Sequence, residues 1–143
     1  RLSRHRRVLI SAEGPLPEEL EPMRVQVPVH RIHHLLAAAD LVFGESGTMP
    51  SEAAMLGVPS VYVNPLKMGY LNELESDYGI VSVYDPGEIK AAVSRAEELL
   101  AKFDRSAWKA TGQRILGEKI DVTDMICRIA TTRPHSRYFK ETG

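Results

Sequence analysis

Apolar residues fall along this chain in short continuous runs separated by stretches of helical period. Val8–Ser11 (VLIS), Leu41–Gly44 (LVFG), Ser60–Val63 (SVYV) and Ile80–Val83 (IVSV) are too short for helices and do not alternate. Continuous runs of this length are expected of strands covered on both faces of a parallel sheet. Arg24–Val29 (RVQVPV) does alternate and carries Pro28, which suits an edge strand. Between these runs the spacing predicts helices. Pro15–Leu20 reads as a short segment with proline at its entry, stopped by Pro22, and His30–Asp40 places Ile32, Leu35, Leu36 and Ala39 on one face. Met49–Leu56 closes at Gly57, and Tyr70–Tyr78 closes at Gly79. Asp85-Pro86-Gly87-Glu88 opens an amphipathic helix reaching Phe103. Ser106–Leu116 and Val122–Thr131 follow, the latter capped by Asp121 or Thr123. From Thr132 onward there are turn residues without a period, a tail that is surface-bound or disordered.

Five strands joined by helices predict an α/β protein: an open parallel, Rossmann-like sheet of about five strands with helices on both faces. It forms a single domain over residues 1–131, followed by the tail at 132–143.

The stretch Leu41–Pro65 organises the rest. It reads as strand, polar turn (Glu45-Ser46-Gly47-Thr48), helix and strand, a βαβ unit whose turn lies at the carboxyl edge of the sheet. Open α/β sheets bind ligands at that edge, and the free N–H groups of a helix start suit an anion. Gly47 allows close backbone approach, Thr48 is the expected N-cap, and Pro50 sits in the first turn, where its missing N–H costs little. Glu52 can complement the helix dipole or accept from sugar hydroxyls. The same edge is expected to hold Gly14, in the turn after the first strand, His33, near the start of its helix, and Asn64, Lys67 and Tyr70, after Ser60–Val63. The plainer reading of Glu45, Ser46, Thr48 and Glu52 is capping and dipole compensation. Glu45 and Glu52 fall on opposite sides of the turn, which disfavours joint acid–base work.

Composition narrows the classes. With 18 basic and 19 acidic residues the net charge is -1, so no global field points to nucleic acid or to an acidic membrane. The local exception, Arg1, Arg4, Arg6 and Arg7, reads as a solvated helix end. Cys127 is the only cysteine, which fits a reducing cytoplasm, and its apolar helical run predicts a buried structural thiol. Trp108 is expected in the core. No run is long enough to span a bilayer and no signal-peptide pattern opens the chain. Opening on Arg1 rather than Met reads as a trimmed or cloned segment. His30, His33 and His34 share a helical segment, but no Asp, Glu or Cys at matching spacing completes a tetrahedral set, so no metal is expected. Neither a P-loop nor GxGxxG occurs, which disfavours a nucleoside triphosphatase or a dinucleotide oxidoreductase.

Ser46-Gly47-Thr48-Met49-Pro50-Ser51-Glu52-Ala53-Ala54, followed by Leu56-Gly57-Val58-Pro59, resembles the nucleotide-binding segment in the C-terminal domain of GT-B-fold enzymes. It is similar to the non-hydrolysing UDP-N-acetylglucosamine 2-epimerases, whose Ser-Gly-Gly turn and following Glu hold UDP. Ile10–Val83 more closely resembles a glycosyltransferase-like domain-of-unknown-function family of the same architecture. The resemblance implies that Ser46 and Gly47 meet the diphosphate of a UDP-sugar and Glu52 its ribose, with His33 beside them. The nucleotide-sugar is then substrate, and no further cofactor is implied. Thr48 departs from the second glycine of the epimerase turn, and so changes the room for backbone approach. The resemblance also implies that Val8–Ser11 matches the second strand of such a domain. The chain would then lack the first, central strand and the whole N-terminal domain, which supplies the acceptor site and catalytic base. Catalytic residues are therefore unassigned, and the expected partners are that missing domain or a second copy. Two alternatives stand beside this one: a fragment of a UDP-sugar 2-epimerase, and a non-catalytic assembly module that oligomerises through its open sheet.

Overall fold

A computed structural model describes residues 1–131, and the tail from Thr132 lies outside the described residues. The protein is α/β. Three parallel strands, β1 (Val42–Gly44), β2 (Ser60–Val63) and β3 (Val81–Tyr84), form an open sheet in sequence order. Val42, Ser60 and Val81 stand in one row and Phe43, Val61 and Ser82 in the next. Among the described residues six α-helices accompany them: α1 (Ile32–Ala38), α2 (Met49–Met55), α3 (Gly69–Ser76), α4 (Ile89–Ala101), α5 (Arg105–Glu118) and α6 (Val122–Thr131). None is long and apolar enough to cross a membrane.

The alternation along β2 divides the core in two. Tyr62 faces the cluster of Ala54, Leu71, Leu74 and Ile115, built from α2, α3 and α5. Val61 faces Ala92, Ala96 and Leu99 of α4, so helices cover both faces of the sheet. Trp108 is half-buried and packs against both clusters, as its apolar bulk predicts. β2 is the central strand and its first three residues are fully buried, which explains why its sequence is a continuous apolar run.

The first two expected strands do not join this sheet. Val8–Ser11 and Arg24–Val29 meet only at an isolated parallel bridge between Ile10 and Arg24. Ile10 N–H donates to Met23 O (2.8 Å), and Val25 N–H donates to Ile10 O (2.9 Å). Leu9 and Val29 are exposed, so the apolar run lacks the cover that a sheet strand needs, and Pro22 and Pro28 remove donors on either side of the bridge. The described residues thus hold three strands rather than five. Pro15–Leu20 forms no helix either. It ends in a turn that leads into a 3-10 helix at Glu21–Met23, because Pro15, Pro17 and Pro22 withdraw the N–H groups an α-helix would use. Cys127 is exposed, not buried: α6 is amphipathic, but among the described residues nothing covers its apolar side, where Val122 and Ile126 are exposed as well, and none of its residues is buried.

The helix ends follow the expected chemistry. Gly57 and Gly79 adopt φ of +69° and +62° after α2 and α3, where a side chain would be strained. Glu88 carboxylate accepts from Asp85 N–H (2.9 Å) at the entry to α4, and Asp121 accepts from Asp124 N–H (3.0 Å) at the start of α6. Asp104 caps α5 by accepting from the N–H groups of Ser106 and Ala107. These bonds, the one from the Ser106 hydroxyl foremost, hold the Asp104 carboxyl below its ordinary range.

Candidate functional site

Because β1, β2 and β3 are parallel, the three segments that leave them lie at one edge. After β1 comes Glu45–Thr48, after β2 Asn64–Met68, and after β3 Asp85–Glu88. Side chains stitch these segments together. Asn64 Nδ2 donates to Glu45 O (3.0 Å) while its Oδ1 accepts from Leu66 N–H (2.9 Å). Asn64 N–H donates to Tyr84 O (3.1 Å), and Lys67 pairs with Asp85 (3.0 Å). Tyr70 hydroxyl, at the start of α3, donates to Gly47 O (3.0 Å).

α1 precedes β1 and packs against α2, which brings its first turn to the same edge. His33 Nε2 stands 3.3 Å from Glu52 Oε2, with both side chains substantially exposed. The resemblance placed these two residues beside one ligand, and the fold does bring them together.

The cap of α2 differs from expectation. Thr48 occupies the N-cap position, but its ψ of -39° is already helical and its hydroxyl makes no cap bond. An N-cap side chain reaches back over the first turn from an extended backbone, which Thr48 lacks. Ser46 Oγ does the capping, accepting from Met49 N–H (3.4 Å), and Thr48 contributes its carbonyl to Glu52 N–H (3.1 Å) and the Ser51 hydroxyl (2.8 Å). Glu45 is exposed and joins the stitching through its backbone, as the acceptor for Asn64.

Gly14 belongs to a different neighbourhood. Its carbonyl accepts from Arg24 Nη2 (3.1 Å), within a cluster in which Arg24 also holds Ala12 O and the Glu21 carboxylate. Two open hollows, of about 260 and 310 Å³, lie along this N-terminal segment and share Arg24, Val25 and Val27 in their walls. Neither is lined by any residue of Glu45–Glu52, so the stretch is a stitched shelf and not the wall of either hollow.

Comparison with protein-family models, curated proteins and solved structures finds no match to this chain. What it does is therefore read from its own residues. Among the described residues no group of three His, Cys, Asp or Glu side chains converges as a metal would require, and His30 and His34 are exposed without reaching the His33–Glu52 pair's carboxylate. The shelf offers a carboxylate with an imidazole beside it, a hydroxyl at Ser46, an amide at Asn64 and an ammonium at Lys67. That set can hold hydroxyls and an anion by hydrogen bonds, and it contains no nucleophile paired to a base.

Sequence reasoning overlooked Met68. Its side chain lies over Gly47, and the one available signal was its place in the loop leaving β2, at the same edge as Asn64 and Tyr70.

Proposed function

We infer that this chain is the nucleotide-sugar-binding half of a GT-B-like, glycosyltransferase-like protein, with a UDP-linked sugar as its ligand, working in a reducing cytoplasm. The observation that carries the reading is the meeting of His33 from α1 with Glu52 from α2 beside the β1–α2 turn, at the carboxyl edge of a parallel sheet. Glu52 accepts from the ribose hydroxyls, with His33 orienting its carboxylate. Ser46 and Gly47 hold the diphosphate, where donors stabilise the negative charge that grows as the glycosyl bond breaks. The nucleophile or base comes from a second domain, so the chain binds without turning over alone.

A thermal-shift series with UDP and UDP-sugars against ATP and NAD tests this reading. Stabilisation by the uridine compounds alone supports it, whereas an equal response to all four, or to none in a folded sample, counts against it.

A second reading, an assembly module, has its own observation. On the outer edge of β3 the Val83 N–H is occupied, donating to the Glu75 carboxylate (2.8 Å). β1, the opposite edge strand, is half-buried along its length and pairs only with β2 among the described strands. An apolar edge of this kind recruits a strand from another chain. A sedimentation series that shows a concentration-dependent dimer without nucleotide affinity would favour this reading.

A further inference from the structure

The turn that a diphosphate would approach is covered by the chain itself. A Cβ built on Gly47 would stand 2.6 Å from Met68 Cε and 2.9 Å from Met68 Sδ, so the end of the methionine fills the space that the missing side chain leaves. Tyr70 hydroxyl holds the Gly47 carbonyl and touches the Met68 sulfur. At the other end of the same segment Asn64 is tied to Glu45, and Lys67 to Asp85. Pro65, Leu66, Lys67 and Gly69 between these ties are exposed, while Met68 is half-buried, turned in toward the core cluster that contains Leu71 and Leu74.

The geometry points to Asn64–Tyr70 as a strap across the β1–α2 turn, with Met68 as a plug that a ligand must displace before it can contact the Gly47 backbone. This regulation rests on the nucleotide-sugar reading of the same site. The value of glycine next to an anion is backbone contact, and the Met68 thioether and methyl occupy that approach. Methionine is an apt plug because its unbranched, flexible side chain leaves without moving backbone. Tyr70 sets how firmly the plug is seated, since its bond to Gly47 O fixes the strap to the turn it covers. Ligand contact at Gly47 and the Met68 position seen here exclude one another.

The experiment is a calorimetric titration of the whole chain with UDP, in wild type, Tyr70→Phe and Met68→Ala, together with mass-spectrometric measurement of Met68 oxidation by dilute peroxide with and without saturating UDP. Met23 and Met125 serve as internal references. Tyr70→Phe keeps the ring and loses only the hydroxyl, so it decides the matter if Met68→Ala, which removes core contact, fails to fold. The strap predicts that Tyr70→Phe binds UDP about fivefold tighter or more, the scale of one lost hydrogen bond. It also predicts that UDP speeds Met68 oxidation relative to the references. Wild-type binding that the variants leave unchanged or weaken, or a Met68 oxidation rate that UDP leaves unchanged or slows, overturns the strap and leaves the nucleotide reading standing. Absence of binding in all folded forms overturns both.

Discussion

Gly57 and Gly112 meet backbone to backbone: a Cβ built on Gly112 would stand 2.8 Å from both the N and the Cα of Gly57. Gly57 therefore has two duties. It ends α2 with a positive φ, and it lets α5 approach closely enough for Lys109 Nζ to donate to Leu56 O (2.7 Å), a carbonyl at the end of α2. Since α2 carries Glu52, this contact fixes the helix on which the candidate site depends.

Gly112→Ala is expected to lower stability by about 1–3 kcal/mol, the cost of forcing extra volume into a close-packed contact. Gly117 lies on the same helix with nothing among the described residues within 4 Å of its Cβ position. Gly117→Ala should instead gain up to about 1 kcal/mol from helix propensity. Urea unfolding of the two variants checks the contrast, and equal effects would count against the α2–α5 contact.

Ser60 is fully buried at the start of β2, and its Oγ has no hydrogen-bond partner among the described residues. A buried polar group left unsatisfied costs roughly 1–3 kcal/mol. Ser60→Ala should therefore raise the melting temperature, while Ser60→Asn should lower it, since a larger polar group would enter the same dry space.

Asp104 gives the pH dependence a sign. Its carboxyl is held below its ordinary value by the Ser106 hydroxyl and the N–H groups of Ala107 and Ser106. A depressed folded-state pKa means stability that is present above the unfolded value, about 4, and lost as pH falls through the folded value. Asp104→Ala should therefore melt below wild type at pH 7, and the gap should close as the pH is taken down past about 4. A gap that stays constant to low pH would show that the cap works without its charge.

The sheet and its crossovers were legible because each carries a physical demand visible in the residues. Continuous apolar runs gave β1, β2 and β3, and glycines that alone tolerate positive φ marked the ends of α2 and α3. The N-terminal segment was not legible in the same way. An apolar run such as Val8–Ser11 states a need for cover, and it does not state whether the chain supplies a neighbour. Ser46 and Thr48 are two hydroxyls within one turn, and backbone dihedrals, which composition does not reveal, chose Ser46 as the cap. Cys127 was misplaced for the same reason as Val8–Ser11, since the apolar content of α6 states a need for cover that the described residues do not supply. In the site, the edge position of Asn64 followed from the order of elements, whereas only the resemblance, and no spacing or period, set His33 beside Glu52. Gly14 was set at that edge by counting its turn as part of a sheet strand that does not form.

The most direct test of the account is a calorimetric titration of the 143-residue chain with UDP, wild type beside Glu52→Ala, with folding of both shown by circular dichroism. The account predicts saturable binding to wild type that falls at least about tenfold in the variant, because a carboxylate accepting ribose hydroxyls makes charge-assisted bonds. Equal binding by both proteins would remove Glu52 from the site, and no binding by either would contradict the nucleotide-sugar reading itself.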